Sequence, residues 1–205
     1  MDAIKVEQKS AEAFVLEKSR HERGIGLIVV ILILAFMLGV GIVLVSITSS
    51  GSRVTGNIRW QEQAFNAAEA GFDAAWLAID DFFKGASWLN FDGHCLQSPT
   101  GIDLPLDVNY FRKKTDLEIL AMLDQDGDGN PDDLNVIFFK MPFAMDGSGG
   151  VDPRYTYTAF LIDDEAGGGT PNPLDALLIC IGVVQLGDSV ATARLEVGLA
   201  TEMGT

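Results

Sequence analysis

IGLIVVILILAFMLGVGIVLVSIT, Ile25 to Thr48, passes through a short Ser/Gly-rich join into TGNIRWQEQAFNAAEAGFDAAWLAIDDFF, Thr55 to Phe83. The first stretch carries no charge: the last before it is Arg23 and the next after it is Arg53. A helix of about 20 apolar residues crosses a bilayer with every backbone polar group satisfied internally, so this run is long enough to span a membrane. A cleaved secretory signal has a shorter apolar core followed by a small-residue cleavage motif. Here the run is longer, and a helical pattern continues directly beyond it.

In the second stretch Ile58, Phe65, Phe72 and Ile79 recur every seven residues, and Ala68, Ala75, Trp76 and Phe82 fall on the same face. Glu62, Asn66, Glu69, Asp73 and Asp80 occupy the other side. This predicts an amphipathic helix that buries its apolar stripe. One helix from Ile25 to Phe83 would be roughly 90 Å long, far more than a membrane requires. Gly39, Gly41, Gly51 and Gly56, with Ser46, Thr48, Ser49 and Ser50, are poor helix formers, and bending or local melting is expected among them.

After Lys84 and Gly85 the pattern changes to short apolar runs between turn residues. TDLEILAML reads as a short helix whose N-cap Thr115 and Glu118 form a capping box. NVIFFKMPF, YTYTAFLID, DALLICIGVV and VATARLEVGLA are strand-like in their β-branched and aromatic content. DGSGGVDP and DEAGGGTPNP separate them as turns. The expected architecture is α+β: a long helix whose amphipathic half packs on a small antiparallel sheet. Residues 1–24 read as a leader, 25–83 as the helix with its span at 25–48, and 84–205 as a β-rich head.

The leader holds Lys5, Lys9, Lys18, Arg20 and Arg23 against Asp2, Glu7, Glu12, Glu17 and Glu22, and is neutral. Basic residues beside a first span keep that side cytoplasmic, so the head is expected to face the periplasm or the outside. Of the 14 basic and 29 acidic residues, 9 and 24 remain after Gly24, so the net charge of −15 lies on the exported part. That sign disfavours nucleic acid as a partner and serves solubility. Two cysteines, Cys95 and Cys180, lie in the head. In an oxidising compartment they would form a disulfide; the alternative is two buried free thiols.

DQDGDGNPDDLN contains the one site with readable chemistry. Asp124, Asp126, Asp128, Asn130, Asp132 and Asn135 stand at the first, third, fifth, seventh, ninth and twelfth places of a calcium loop spanning 124–135. Calcium takes six to eight oxygens, and carboxylates at alternate positions supply them; Gly129 permits the sharp turn. Asn135 replaces the usual bidentate Glu, so affinity should fall or Asp133 should substitute. The plain alternative is a solvated acidic turn. Asp163, Asp164 and Glu165, beside Gly167 to Gly169, offer a weaker second cluster of the same kind. An enzyme is not expected: His21 lies in the leader, His94 only adjoins Cys95, and no phosphate loop or zinc spacing is present.

RGIGLIVVILILAFMLGVGIVLVSIT leading into AFNAAEAGFDAA, within Glu22 to Asp81, resembles the PilX-type minor pilins of type IV pili. The resemblance implies cleavage after Gly24 by a prepilin peptidase, N-methylation of Ile25, a stay in the inner membrane with the head in the periplasm, and assembly with other pilins and pilus assembly proteins. Most major pilins carry Glu five residues into the mature helix, where this chain has Val29. The resemblance therefore points to a tip, priming or low-abundance subunit with consequences for adhesion or aggregation. A pseudopilin of type II secretion and a signal-anchored calcium-binding ectodomain are the other readings.

Overall fold

The computed structural model describes the backbone of residues 3–163 and 172–201, and the side chains of residues 26–48, 55–163 and 172–201. Helix α1 runs from Ala3 to Lys84, a 3-10 turn covers Phe111–Lys113, and helix α2 covers Asp116–Met122. Four strands follow: β1 Val136–Pro142, β2 Tyr155–Ile162, β3 Asp175–Leu186 and β4 Ser189–Ala200. The fold is the expected α+β, with a long apolar N-terminal helix followed by a four-stranded antiparallel sheet.

Contacts divide the chain into two units, Met1–Thr55 and Gly56–Thr205. In the first, Gly26–Thr48 is an apolar helix long enough to cross a membrane, with none of it buried against protein. The expected melting of the Gly/Ser-rich stretch is corrected: α1 is helical through Gly39, Gly41, Gly51 and Gly56. A glycine costs only about 1 kcal/mol in a helix, whereas an unpaired backbone group in hydrocarbon costs several. Thr48 returns its hydroxyl to the Leu44 carbonyl (2.9 Å), so its polar group is satisfied on the helix itself.

In the second unit, α1 ends where Ala86 takes a left-handed φ of 52° and the Ser87 and Trp88 N–H groups both donate to the Phe82 carbonyl (2.9 and 3.1 Å). This closes one orphan carbonyl of the last turn twice over. Thr115 and Glu118 form the expected capping box at the start of α2.

The strands follow one another as a meander, β1-β2-β3-β4, every pair antiparallel. β2 and β3 are central and pair without irregularity from Tyr155↔Val184 to Ile162↔Leu177. β3 returns into β4 through the two-residue turn Gly187-Asp188, with Gly187 at φ 60° as a tight hairpin demands. Being central, β2 and β3 bury both faces, and alternation along the strand divides the core in two. Phe160, Ile162, Leu177, Ile179 and Ile181 meet α2 and the preceding loop through Phe111, Ile119 and Leu123. Ala159, Leu161, Leu178 and Cys180 meet α1 through Ala75 and Ile79.

The face that α1 buries is narrower and smaller than its heptad pattern predicts. Ala64, Ala67, Ala68 and Ala75 are wholly buried, whereas Ile58, Phe65, Trp76 and Phe82 are exposed. Small residues win the contact because the helix lies almost on the sheet backbone. A Cβ built on Gly182 would stand 2.0 Å from the Ala64 carbonyl oxygen and 2.5 Å from the Ala68 nitrogen. One strand over, Tyr157 fills the space left by Gly71, with the missing Cβ 3.0 Å from its ring.

Candidate functional site

The loop between α2 and β1 is folded by its own aspartates. Leu123, the C-cap of α2, accepts at its carbonyl from the Asp132 N–H (2.8 Å), which closes the loop. Inside it Asp126 Oδ1 accepts from Asp128 N (3.1 Å), Asp128 Oδ1 from Asn130 N (2.7 Å), and Asp124 Oδ1 from Gly129 N (3.2 Å). Gly127 and Gly129 take left-handed φ values of 73° and 88°, which lets successive side chains turn inward. One carboxylate oxygen from each of Asp124, Asp126 and Asp128 thus lies within 4.8 Å of the others. Such convergence of hard oxygens suits a hard divalent cation.

The rest of the expected ligand set makes other contacts in and around the loop. Asp132 Oδ2 accepts from Gln125 N (2.8 Å), bracing the loop. Asn130 gives its backbone N–H to Asp128 and remains in the turn. Asn135 does not join the cluster: its side-chain amide donates to the Cys95 carbonyl (2.8 Å), because the chain leaves this loop as strand β1 and not as a returning helix. Asp133 is not a substitute ligand. It is buried, Oδ2 accepts from Gln97 N and Ser98 N (2.7 and 2.8 Å), and Oδ1 accepts from Asn135 N (2.9 Å). Its role is to fasten the 95–98 segment to the end of the loop.

Sequence reasoning missed Lys140. Its Nζ pairs with Asp124 Oδ2 at 2.7 Å, against an Asp124 side chain only 6 % exposed. The same ammonium lies 4.5 Å from the centre of the Phe139 ring. Lys140 reaches this position from an irregularity in the β1–β2 ladder between Phe138 and Met141, where its own φ is 47° and its N–H donates to Thr158 Oγ1 (3.0 Å). A bulge re-aims side chains in this way. Lys140, then the Gly129 N–H, hold the Asp124 carboxyl below the ordinary carboxylate range, with partial burial working against them. A run of alternating strand residues carries no signal for such a bulge.

Cys95 and Cys180 are free thiols, not the expected disulfide. Both pack in the apolar cluster beneath α1, each as a small apolar group. Burial pushes both thiols up to about 12, and nearby acids, Asp163 foremost, add to the effect at Cys95. The His94 ring stacks on Trp88 at 4.0 Å, and burial lowers its pKa. Neither residue resembles an activated nucleophile–base pair. Of the second acidic cluster, Asp164, Glu165 and Gly167 to Gly169 lie outside the described residues.

Residues 23–73 match a family model described as PilX N-terminal. No curated relative and no solved structure matches the chain.

Proposed function

We propose, from the premise that residues 23–73 are a PilX-type pilin N-terminal segment, that this chain is a non-enzymatic minor subunit of a type IV pilus. The observation that carries the reading is one unbroken helix that is apolar at Gly26–Thr48 and lies on the sheet of its own head from Ala64 to Ile79. A plain membrane anchor needs no such continuation. The bare helix waits in the inner membrane with the head in the periplasm and transfers to a filament after cleavage at Gly24. Val29 offers no carboxylate to a neighbouring ammonium. An uncompensated buried charge is costly at every repeat but bearable at an end, which supports a priming or tip role with adhesion or aggregation as its consequence.

The test is the intact mass and N-terminal sequence of the protein from membranes with and without an active prepilin peptidase. A peptidase-dependent start at methylated Ile25 is the expected result. An uncleaved Met1 in both preparations would overturn the reading in favour of an anchored ectodomain.

Calcium is the cation proposed for the 124–135 loop. Asp124, Asp126 and Asp128 would hold it, with Asp132 and backbone carbonyls of the loop completing the shell and Lys140 giving up Asp124. Because calcium would bind only the folded loop, a hundredfold excess over its dissociation constant should stabilise the head by about 2.7 kcal/mol. Equal melting in calcium and in chelator would remove calcium from the proposal and leave the filament role standing.

A further inference from the structure

The two edges of the sheet differ. β1 is a poor template for another strand: its ladder is irregular on both sides of Phe138, Lys140 takes a left-handed φ of 47°, and the strand ends in Pro142. β4 has no proline, lysine or bulge, and its 12 residues pair with β3 in unbroken register from Ser189 to Ala200. The Thr201 N–H donates to the Leu174 carbonyl (2.7 Å), which sets the parity of that ladder. Antiparallel residues alternate between bonded and non-bonded pairs, so Leu195, Val197 and Leu199 bond to β3 while Thr192, Arg194, Glu196 and Gly198 turn their N–H and C=O groups outward. No described residue takes these outward groups. The two charged side chains are drawn aside over the α2 face: Arg194 donates to Asp116 (2.7 Å) and to the Lys114 carbonyl (2.9 Å), and Glu196 accepts from Arg112 (3.0 Å).

α1 carries an apolar flank along the same edge. Leu195 and Val197 face α1 but are only partly buried, Phe72 packs against the same cluster, and Trp76 lines one groove with Leu199 and Ala200. Ile58, Phe65, Phe72 and Trp76 form one stripe of the helix, and Phe65 and Trp76 stay 43 % and 50 % exposed. Beside this stripe stand Glu62, Glu69 and Asp73, exposed and paired with no cation among the described residues. A strand added to β4 would bond to the outward backbone groups and set one of its faces against Phe65, Phe72 and Trp76. Lys and Arg suit that face as well as apolar residues do, because their stems lie along aromatic rings while their charged heads reach a carboxylate.

We propose that the β4 edge and the flank of α1 take an extended segment of a partner protein as a fifth strand, one whose α1-side residues alternate between β-branched and basic. The three unpaired carboxylates select the basic residues. A second copy of this chain fits poorly, because the strand cations Lys140 and Arg194 are already paired with Asp124 and Asp116 and the exported part is strongly acidic. Every residue of the site belongs to the Gly56–Thr205 unit, so the proposal does not rest on the filament reading.

The test uses the full chain in phosphatidylcholine nanodiscs, with empty nanodiscs as the blank. Fluorescence anisotropy follows the labelled peptide Val-Thr-Lys-Thr-Val-Thr-Lys-Thr-Val, its counterpart with Glu for Lys, and the lysine peptide N-methylated at alternate residues, which cannot complete a ladder. The expected result is binding of the lysine peptide, weakened at least tenfold by N-methylation and about tenfold by Glu for Lys or by Glu62→Gln, Glu69→Gln and Asp73→Asn made together. Thr192→Pro and Gly198→Pro each remove one outward N–H and none that bonds to β3, so both should weaken the lysine peptide at least tenfold while melting close to the wild type. No binding of the lysine peptide, equal binding of the N-methylated or the glutamate peptide, or undiminished binding by the folded proline variants would each overturn the proposal. A dimer of the wild type that both proline variants dissolve would assign the edge to a second copy and overturn it too. Peptidase-dependent cleavage at Gly24 is read in a separate experiment, so failure of strand binding and failure of the filament reading are distinguishable.

Discussion

Replacing Gly182 by Ala tests the packing on which the head depends. The added Cβ would meet the Ala64 carbonyl oxygen at 2.0 Å, where ordinary contact begins near 3.4 Å, so α1 must retreat by about 1.4 Å or the β3 backbone must yield. No rotamer relieves the clash, because two of the three nearest atoms are backbone. Overpacking a core costs about 1–3 kcal/mol, and here the retreat also loosens Ala75 and Ile79 against Leu178 and Cys180. We therefore expect about 3 kcal/mol or more, a fall in melting temperature of about 6–12 °C for a unit of this size. Gly198→Ala is the control: it lies in the neighbouring strand β4, and a Cβ there meets nothing within 4 Å, so its effect should stay within about 0.5 kcal/mol. Urea unfolding of the full chain in detergent, followed by near-ultraviolet dichroism, reads both. If Gly182→Ala unfolds within about 0.5 kcal/mol of its control, the helix does not lie against the sheet as described.

Asp133→Ala should cost about 3 kcal/mol in the same urea assay, because three backbone N–H groups lose one buried acceptor; a loss below about 1 kcal/mol would show that water replaces it freely. At pH 8 a thiol near 12 is ionised to about one part in ten thousand, so iodoacetamide should label neither Cys95 nor Cys180 in the native head and both in denaturant, as intact mass would show. Failure to label in denaturant would reveal a disulfide, and rapid native labelling would contradict the burial. Asp124, Asp146, Asp152 and Glu118 have folded pKa values below their unfolded ones. Their stabilisation is thus complete above the unfolded carboxyl range near 4 and is lost as pH falls through the lower folded values. Urea midpoints that stay level from neutral pH down to about 5 and decline below about 4 are the expected result, and a midpoint that rises on acidification would contradict it.

Much of the architecture was legible from period and punctuation. The uncharged run, the four strand-like segments and the Thr115–Glu118 capping box are local patterns, and local patterns are what a chain displays in order. The calcium-type spacing was legible too, but spacing describes an extended string of residues and does not state where the chain goes next. Asn135 fits the pattern and leaves the cluster, because its amide is drawn to Cys95, 40 positions away. Lys140 breaks no pattern and enters it, because a bulge turns it round. The same distinction separates the predicted face of α1 from the buried one. A heptad ranks residues by apolarity, whereas close contact with a sheet backbone also favours small ones, so Ala64 and Ala67 join the expected Ala68, Ala75 and Ile79 in the contact while Phe65 and Trp76 stay outside it.

The row of alanines on α1 also sets where this protein can be cut. One face of the central strands, with Ala159, Leu161, Leu178 and Cys180, has α1 as its roof. A soluble fragment that begins after Lys84 keeps every strand and removes that roof, leaving a flat apolar surface beside two open sheet edges, a composition that favours aggregation. A fragment that begins at Gly56 sheds the greasy span and retains Ala64, Ala67, Ala68 and Ala75. The boundary that matters to a crystallographer or an immunologist therefore lies within the helix, well upstream of the first strand.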